Sequence, residues 1–314
     1  MNQSGIFKIQ SMADPAWFND GKNDCLYIEI YEMALAPSSF EGKVFKFNNI
    51  TVIAGVIGMD YLEIGTINVD FGENRQVSVS ADHRTVTGKL SPKVITLQPH
   101  SRSRIDSERE LADHSSEYVS LLVATNYRNI AFRLISRNFF GYSDNYLHAN
   151  SFAFRLPFDL PHPDLSTLAW QRFFDAEMTF ASASKDLKRK ISLSLQWHLK
   201  AVRSDGIDSL LSFWIAIETL SMKSTNIAEI IEKLAKIYNT SKESASAEFG
   251  IGKIFGLRSA IVHKGHRKVI SSHLTDYLEH LYSDLLMFEL RLPTMMRAKS
   301  YLAGVKIDID ALTA

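Results

Sequence analysis

Apolar and polar positions alternate through the first half of the chain. Between Phe7 and about Leu156, short runs place apolar side chains at every second position: CLYIEIYE, KVFKFNN, ITVIAGVIG, YLEIGTINVDF, RQVSVSA, KVITLQP, YVSLLVAT and NIAFRLIS. Runs rich in Val, Ile, Tyr and Phe and bounded by Gly, Asn, Asp and Pro fit half-buried strands. They predict a β-rich domain over 1–160, an antiparallel sandwich or barrel. The polar interval PHSRSRIDSERELADHSSE (99–117) reads as a long loop with one helical turn.

The texture changes at RLPFDLPHPDLS, where Pro157, Pro161 and Pro163 stand close together. Proline fixes φ and removes a backbone donor, so regular structure stops there and a domain boundary is expected. Beyond it the apolar period becomes 3.6. Predicted helices are LSTLAWQRFFDAEMTFA, SKDLKRKISLSLQWHLKAV, GIDSLLSFWIAIETLSM, IAEIIEKLAKIY, ESASAEFGIGKIFGLRSAIVH and SHLTDYLEHLYSDLLMFELR. The expected fold class is α+β, with the β-rich domain followed by an all-α helical bundle over 161–314.

Two charges interrupt the apolar stripes of that bundle. On a helix, Ile251, Ile254, Phe255, Ile261 and Val262 share a side, and Arg258 falls at its centre. Leu211, Trp214, Ile215 and Met222 share another, with Glu218 in its middle. A charge facing a core is costly unless paired. Glu218 and Arg258 are therefore expected to meet through charge-assisted hydrogen bonds, either to orient the guanidinium for work or only to fix helix register. His263 follows Arg258 by five residues, about 140° around the helix. Gly265 is a natural helix stop, which puts His263 in the last turn. Helix C-termini favour protonated imidazoles, and a histidine titrating near neutrality suits proton transfer.

Composition narrows the partners. Of 314 residues, 46% are hydrophobic and 22% charged, ordinary for a folded chain with its own core. Formal net charge is zero, so affinity for nucleic acid or membrane has to come from a local patch. One cysteine, Cys25, excludes an internal disulfide framework and a cysteine-based zinc site, and fits a reducing cytosol. The opening MNQSGIFKIQSMADPAWF lacks a basic region followed by an apolar run, so no signal peptide is expected. No run approaches the roughly 18 apolar residues of a membrane helix.

The stretch RSAIVHKG (Arg258 to Gly265), with R-x4-H spacing, and the upstream AIETL (Ala216 to Leu220) together resemble the HEPN superfamily, especially its Apea-like branch. The resemblance covers about 165–295. It implies a metal-independent, cofactor-free endoribonuclease in which two bundles pair and two such motifs face each other across one cleft. His263 would be the acid and base for attack of a ribose 2′-hydroxyl on the adjacent phosphate, and Arg258 would offset the charge gained in the transition state. Glu218 and Ser259 would support them. Ser259 stands where active members often carry Asn, Asp or His, a departure toward a weaker polar group. Gly265 replaces the tyrosine of the toxin-type branch and matches the Apea-like one.

Basic residues flank the motif. Lys264, His266, Arg267 and Lys268 could hold a phosphate backbone beside the chemistry, and KDLKRK (Lys185 to Lys190) is a second cluster. His273, Asp276 and His280 share a helix face at metal-ligand spacing, but a solvated face explains them, and no metal site is expected. The reading is a cytoplasmic homodimeric ribonuclease of prokaryotic defence or toxin systems. RNA is its partner, and a regulatory protein or ligand acts at the β domain. The alternatives are a non-catalytic HEPN module binding RNA, a nucleotide or a protein, and a scaffold in which Glu218 and Arg258 form a strut.

Overall fold

The structure, a computed structural model, describes residues 25–33, 43–47, 50–57, 66–70, 76–80, 91–100, 104–126, 132–143, 146–153, 167–224, 226–265 and 269–305. It divides into two compact units that interleave along the chain: 1–115 with 129–166, and 116–128 with 167–314.

In the first unit the backbone pairs β1 (Cys25–Met33), β2 (Lys43–Phe47), β3 (Ile50–Ile57), β4 (Thr66–Asp70), β5 (Gln76–Ser80), β6 (Ser91–His100), β7 (Phe132–Ser143) and β8 (Tyr146–Ala153). Six of them run antiparallel in the order β2-β3-β6-β1-β7-β8, and β4 pairs with β5 as a separate ribbon. In the central strand Cys25 stands opposite His100 on β6 and Gly141 on β7. Glu29 and Tyr31, two apart on β1, are both buried. The Tyr31 hydroxyl donates to Glu29 Oε2 at 2.8 Å, which satisfies a carboxylate held away from water.

The expected fold class is corrected on three points. Among the described residues there is no sandwich or barrel, because the six-stranded order ends at β2 and β8, which do not pair. The residues whose side chains are described are almost all helical; on strands they are only Glu29, Tyr31, Met33, Ile50, Val52 and Leu134. Nor does a self-contained β domain precede a bundle. Helix α1 (Arg104–Asn126) starts in residues of the first unit and ends in the second. Residues 104–117 of the polar interval read as a loop and the run YVSLLVAT read as a strand are together this one helix, while Pro99 and His100 end β6. From Ser115 to Asn126 every residue except Ser116 is buried. A helix covered on all sides has no polar face, so its 3.6-residue alternation disappears and its apolar run resembles a strand.

The second unit is built around that buried segment. It adds α2 (Thr167–Ser182), α3 (Lys185–Val202), α4 (Gly206–Ser221), α5 (Ala228–Ile237), α6 (Lys242–Phe249), α7 (Ile251–Lys264), α8 (Ser272–Glu289) and α9 (Arg297–Val305). Tyr118 of α1 meets Phe173 of α2 edge-on at 5.3 Å. Ser120 of α1 hydrogen-bonds His198 of α3 at 2.8 Å, and Ser283 of α8 donates to the Ala124 carbonyl at 2.8 Å. Polar side chains at the end of α1 turn back on their own helix: Thr125 donates to the Leu121 carbonyl and Asn126 to that of Leu122. Around them Leu195, Phe213, Trp214, Leu278, Leu281 and Leu285 are fully buried, each worth about 1.5–3 kcal/mol in transfer from water.

Helix ends follow local chemistry. Ser184, Ser241 and Ser271 cap α3, α6 and α8 by accepting backbone N–H groups of their first turns. The single helix predicted over 243–263 is two, because Gly250 adopts φ 56°, ψ 31° and turns the chain between α6 and α7. No helix among the described residues is long and apolar enough to cross a membrane.

Candidate functional site

Helix α7 lies on the unit through Ile251, Ile254, Leu257 and Ile261, all buried. That stripe is rotated from the predicted one. Val262, expected inside, is 48% exposed, and Phe255 is half-buried. Arg258 therefore sits at the margin of the packed face rather than its centre, which removes most of the cost of burying it. Of the stripe predicted on α4, Leu211, Ile215 and Glu218 are half-buried, as is Met222 just past the helix end, and only Trp214 is fully enclosed. This flank of α4 is the one that meets α7, with Trp214 and Phe255 at 6.1 Å between ring centroids.

Across it, Arg258 Nη2 and Glu218 Oε2 stand 3.8 Å apart, each side chain 24% exposed. The structure brings the two expected partners together as an ion pair. The separation exceeds hydrogen-bond length, so the expected charge-assisted hydrogen bond does not form. Among the described residues the guanidinium donates no hydrogen bond, so its donors remain available to another acceptor. Ser259 beside it is half-buried.

Gly265 ends α7 in the left-handed region, φ 63°, ψ 26°, and its N–H donates to the Ala260 carbonyl. His263 and Lys264 are thereby held in the last turn, both exposed. Neither ring nitrogen of His263 has a hydrogen-bond partner among the described residues. Among the described residues no hydrogen bond links Arg258 to His263. His266, Arg267 and Lys268 lie outside the described residues, as do Pro157, Pro161 and Pro163.

His273, Asp276 and His280 do not form the bare solvated face expected of them. Tyr301 of α9 covers it: its hydroxyl hydrogen-bonds His273 Nδ1 at 2.9 Å and donates to Asp276 at 3.4 Å, and its ring lies 4.8 Å from that of His280. Among the described residues no three or more His, Cys, Asp or Glu side chains group as a metal site would require.

Two groups escaped sequence reasoning. Ser120, His198 and Glu279 come together from α1, α3 and α8, with Ser120 at 2.8 Å from Nδ1 and Glu279 Oε1 at 3.9 Å from Nε2 of His198. The residue types are those of a nucleophilic triad. All three are at most 1% exposed, and the imidazole is stacked under Tyr282 at 4.6 Å, so no substrate carbonyl reaches the serine. This is an internal brace of the bundle. Glu177 on α2 is the second: burial pushes its carboxyl up to about 7. Its charge also helps to raise the hydroxyl of buried Tyr118. Neither group had a sequence signal, because each depends on residues distant in the chain or on burial alone.

Comparison of the chain with family models, with curated proteins and with solved structures gives no match in any of the three.

Proposed function

We propose that the chain is a metal-independent endoribonuclease of HEPN type, acting on RNA in the cytoplasm within a prokaryotic defence or toxin system. His263 takes the proton of a ribose 2′-hydroxyl as the O2′–P bond forms. The P–O5′ bond breaks, and a protonated imidazole returns a proton to the departing 5′ oxygen. Arg258 offsets the charge gained on the phosphate oxygens. The observation that supports this best is the open hydrogen-bonding capacity of both groups on one partly exposed helix, with Glu218 beside the guanidinium. A homodimer through the helical unit would set two such motifs across one cleft and supply both proton-transfer roles. Lys264 would hold the backbone nearby.

A non-catalytic module that binds RNA, a nucleotide or a protein is the second reading. It is favoured by one observation: among the described residues no hydrogen bond links Arg258 to His263.

The test is cleavage of structured RNA in the presence of chelator by wild type, Arg258→Ala and His263→Ala, with binding measured in parallel. Chelator-resistant cleavage that vanishes in His263→Ala, with DNA left intact, is the expected result. RNA binding without cleavage in the wild type would support the second reading.

A further inference from the structure

Helix α3 carries five basic residues against one acidic, Asp186, in a chain whose formal net charge is zero. Positive charge is therefore gathered on this helix rather than general to the molecule. Its inner face is buried through Ile191, Leu195, His198 and Leu199. At 100° per residue, Lys185, Arg189, Leu193 and Lys200 fall within about 80° of one another on the outer side, and Trp197 borders them. The three cations are exposed, Leu193 is 46% exposed and Trp197 is half-buried.

Among the described residues none of these three cations forms an ion pair. Asp186 shares the arc but stands in the first turn, where the positive helix end favours it. The Lys200 ammonium lies over the Trp197 ring, 4.8 Å from its centroid. Charge and aromatic ring are thus held together at one end of the stripe, and two cations stand toward the other. Arg189 and Lys200 lie about three turns apart, about 16 Å along the axis, a span of several nucleotides. KDLKRK by itself is a solvated charge run. What it gains in the fold is an arc that continues through Leu193 and Trp197 and closes on Lys200.

We propose that this stripe of α3 is a track for single-stranded nucleic acid, with phosphates on Lys185, Arg189 and Lys200 and a base against Leu193 and Trp197. An unstacked base offers such a pair its apolar face, while a duplex keeps its bases inside and presents phosphate alone. An anionic membrane fits less well, because the apolar face it would have to take up is already packed into the bundle. The identity of the strand as RNA rests on the reading given above, but the track requires no chemistry at His263.

The test is fluorescence titration of the full chain with 2′-O-methyl oligouridylate, which the proposed cleavage chemistry leaves uncut, and with a 2′-O-methyl duplex of equal length, at several salt concentrations. Variants are Arg189→Gln with Lys200→Gln, and Lys236→Gln as a control from α5, an exposed lysine paired with Glu232. Wild type, Lys236→Gln and His263→Ala should bind the single strand alike and prefer it to the duplex. The double variant should bind about tenfold or more weakly, with a salt slope shallower by about 1.4. Trp197→Phe should still bind and lose most of the fluorescence change. In the wild type the oligonucleotide should slow acetylation of Lys185 and Lys200, a readout that needs no variant to fold. Displacement of the oligonucleotide by phosphatidylserine vesicles or by polyglutamate would show that the surface reads charge alone, and would overturn the assignment. Absence of binding by the wild type overturns it as well. Undiminished binding by a folded double variant that still cuts RNA would remove the track and leave the ribonuclease reading standing. Binding that depends on the stripe, in a chain that cuts nothing, would do the reverse.

Discussion

Glu218 and Arg258 face each other across α4 and α7 at 3.8 Å, close enough to attract and too far to share a hydrogen bond. The geometry separates a strut from a working pair. A buried register-fixing ion pair would be tightly hydrogen-bonded and costly to break. A pair at the margin of the packed face leaves the guanidinium oriented and still able to donate.

Glu218→Gln should therefore lower stability by no more than about 1 kcal/mol, as for other partly exposed pairs. Urea unfolding of the two proteins measures this. A loss of several kcal/mol would mean that the pair holds the bundle together and would favour the scaffold reading.

The left-handed turn after His263 depends on glycine. An added Cβ at Gly265 meets nothing within 4 Å, so a substitution is felt through the backbone alone. Gly265→Ala should cost about 1 kcal/mol, and Gly265→Asn less, because asparagine tolerates this conformation. Thermal unfolding gives the ranking; equal costs for both would show that the strain is not conformational.

The closed Ser120–His198 brace makes a contrasting prediction. Ser120→Ala removes a hydroxyl from a fully buried imidazole and should destabilise the chain by about 1–3 kcal/mol. The effect is read by chemical denaturation, with any RNA cleavage by the folded fraction unchanged. Lost cleavage at unchanged stability would reassign the brace to the chemistry.

Glu177 sets a pH dependence. Burial raises its folded-state pKa from 4.5 to about 7. A carboxyl shifted this way favours the folded chain while protonated, and that contribution is lost as pH rises from about 4.5 through about 7. Discounted for the solvent screening of a half-buried group, Glu177→Gln, which stays neutral, should gain up to about 2 kcal/mol on the wild type at about pH 8 and nothing comparable in acid. Stability curves for both proteins across this range check it; parallel curves would show that Glu177 ionises without cost.

How much of this could be read from residues alone varies with what each feature depends on. The stop at Gly265 is written in local chemistry. The opposition of Glu218 and Arg258 is visible because each interrupts a periodic stripe. The exact face of α7 is not, since Gly252 and Gly256 dilute its periodicity and the helix docks on Leu257 rather than Val262. α1 was misread because enclosure on every side erases amphipathicity, and its Val, Leu and Tyr then look like strand residues. Gly250 breaks a helix whose apolar period continues on both sides, and only its positive φ reveals the turn. Lys233 and Glu289 belong to separate helices and meet through tertiary packing, for which no spacing rule exists.

Cleavage of a DNA oligonucleotide carrying one ribose, in chelator, bears most directly on Arg258 and His263. Wild type should cut only at the phosphate 3′ to that ribose, leaving a 2′,3′-cyclic phosphate and a 5′-hydroxyl, and His263→Ala should be slower by about a hundredfold or more. Cutting elsewhere in the DNA, or undiminished cutting by His263→Ala, would contradict a chemistry carried by that imidazole.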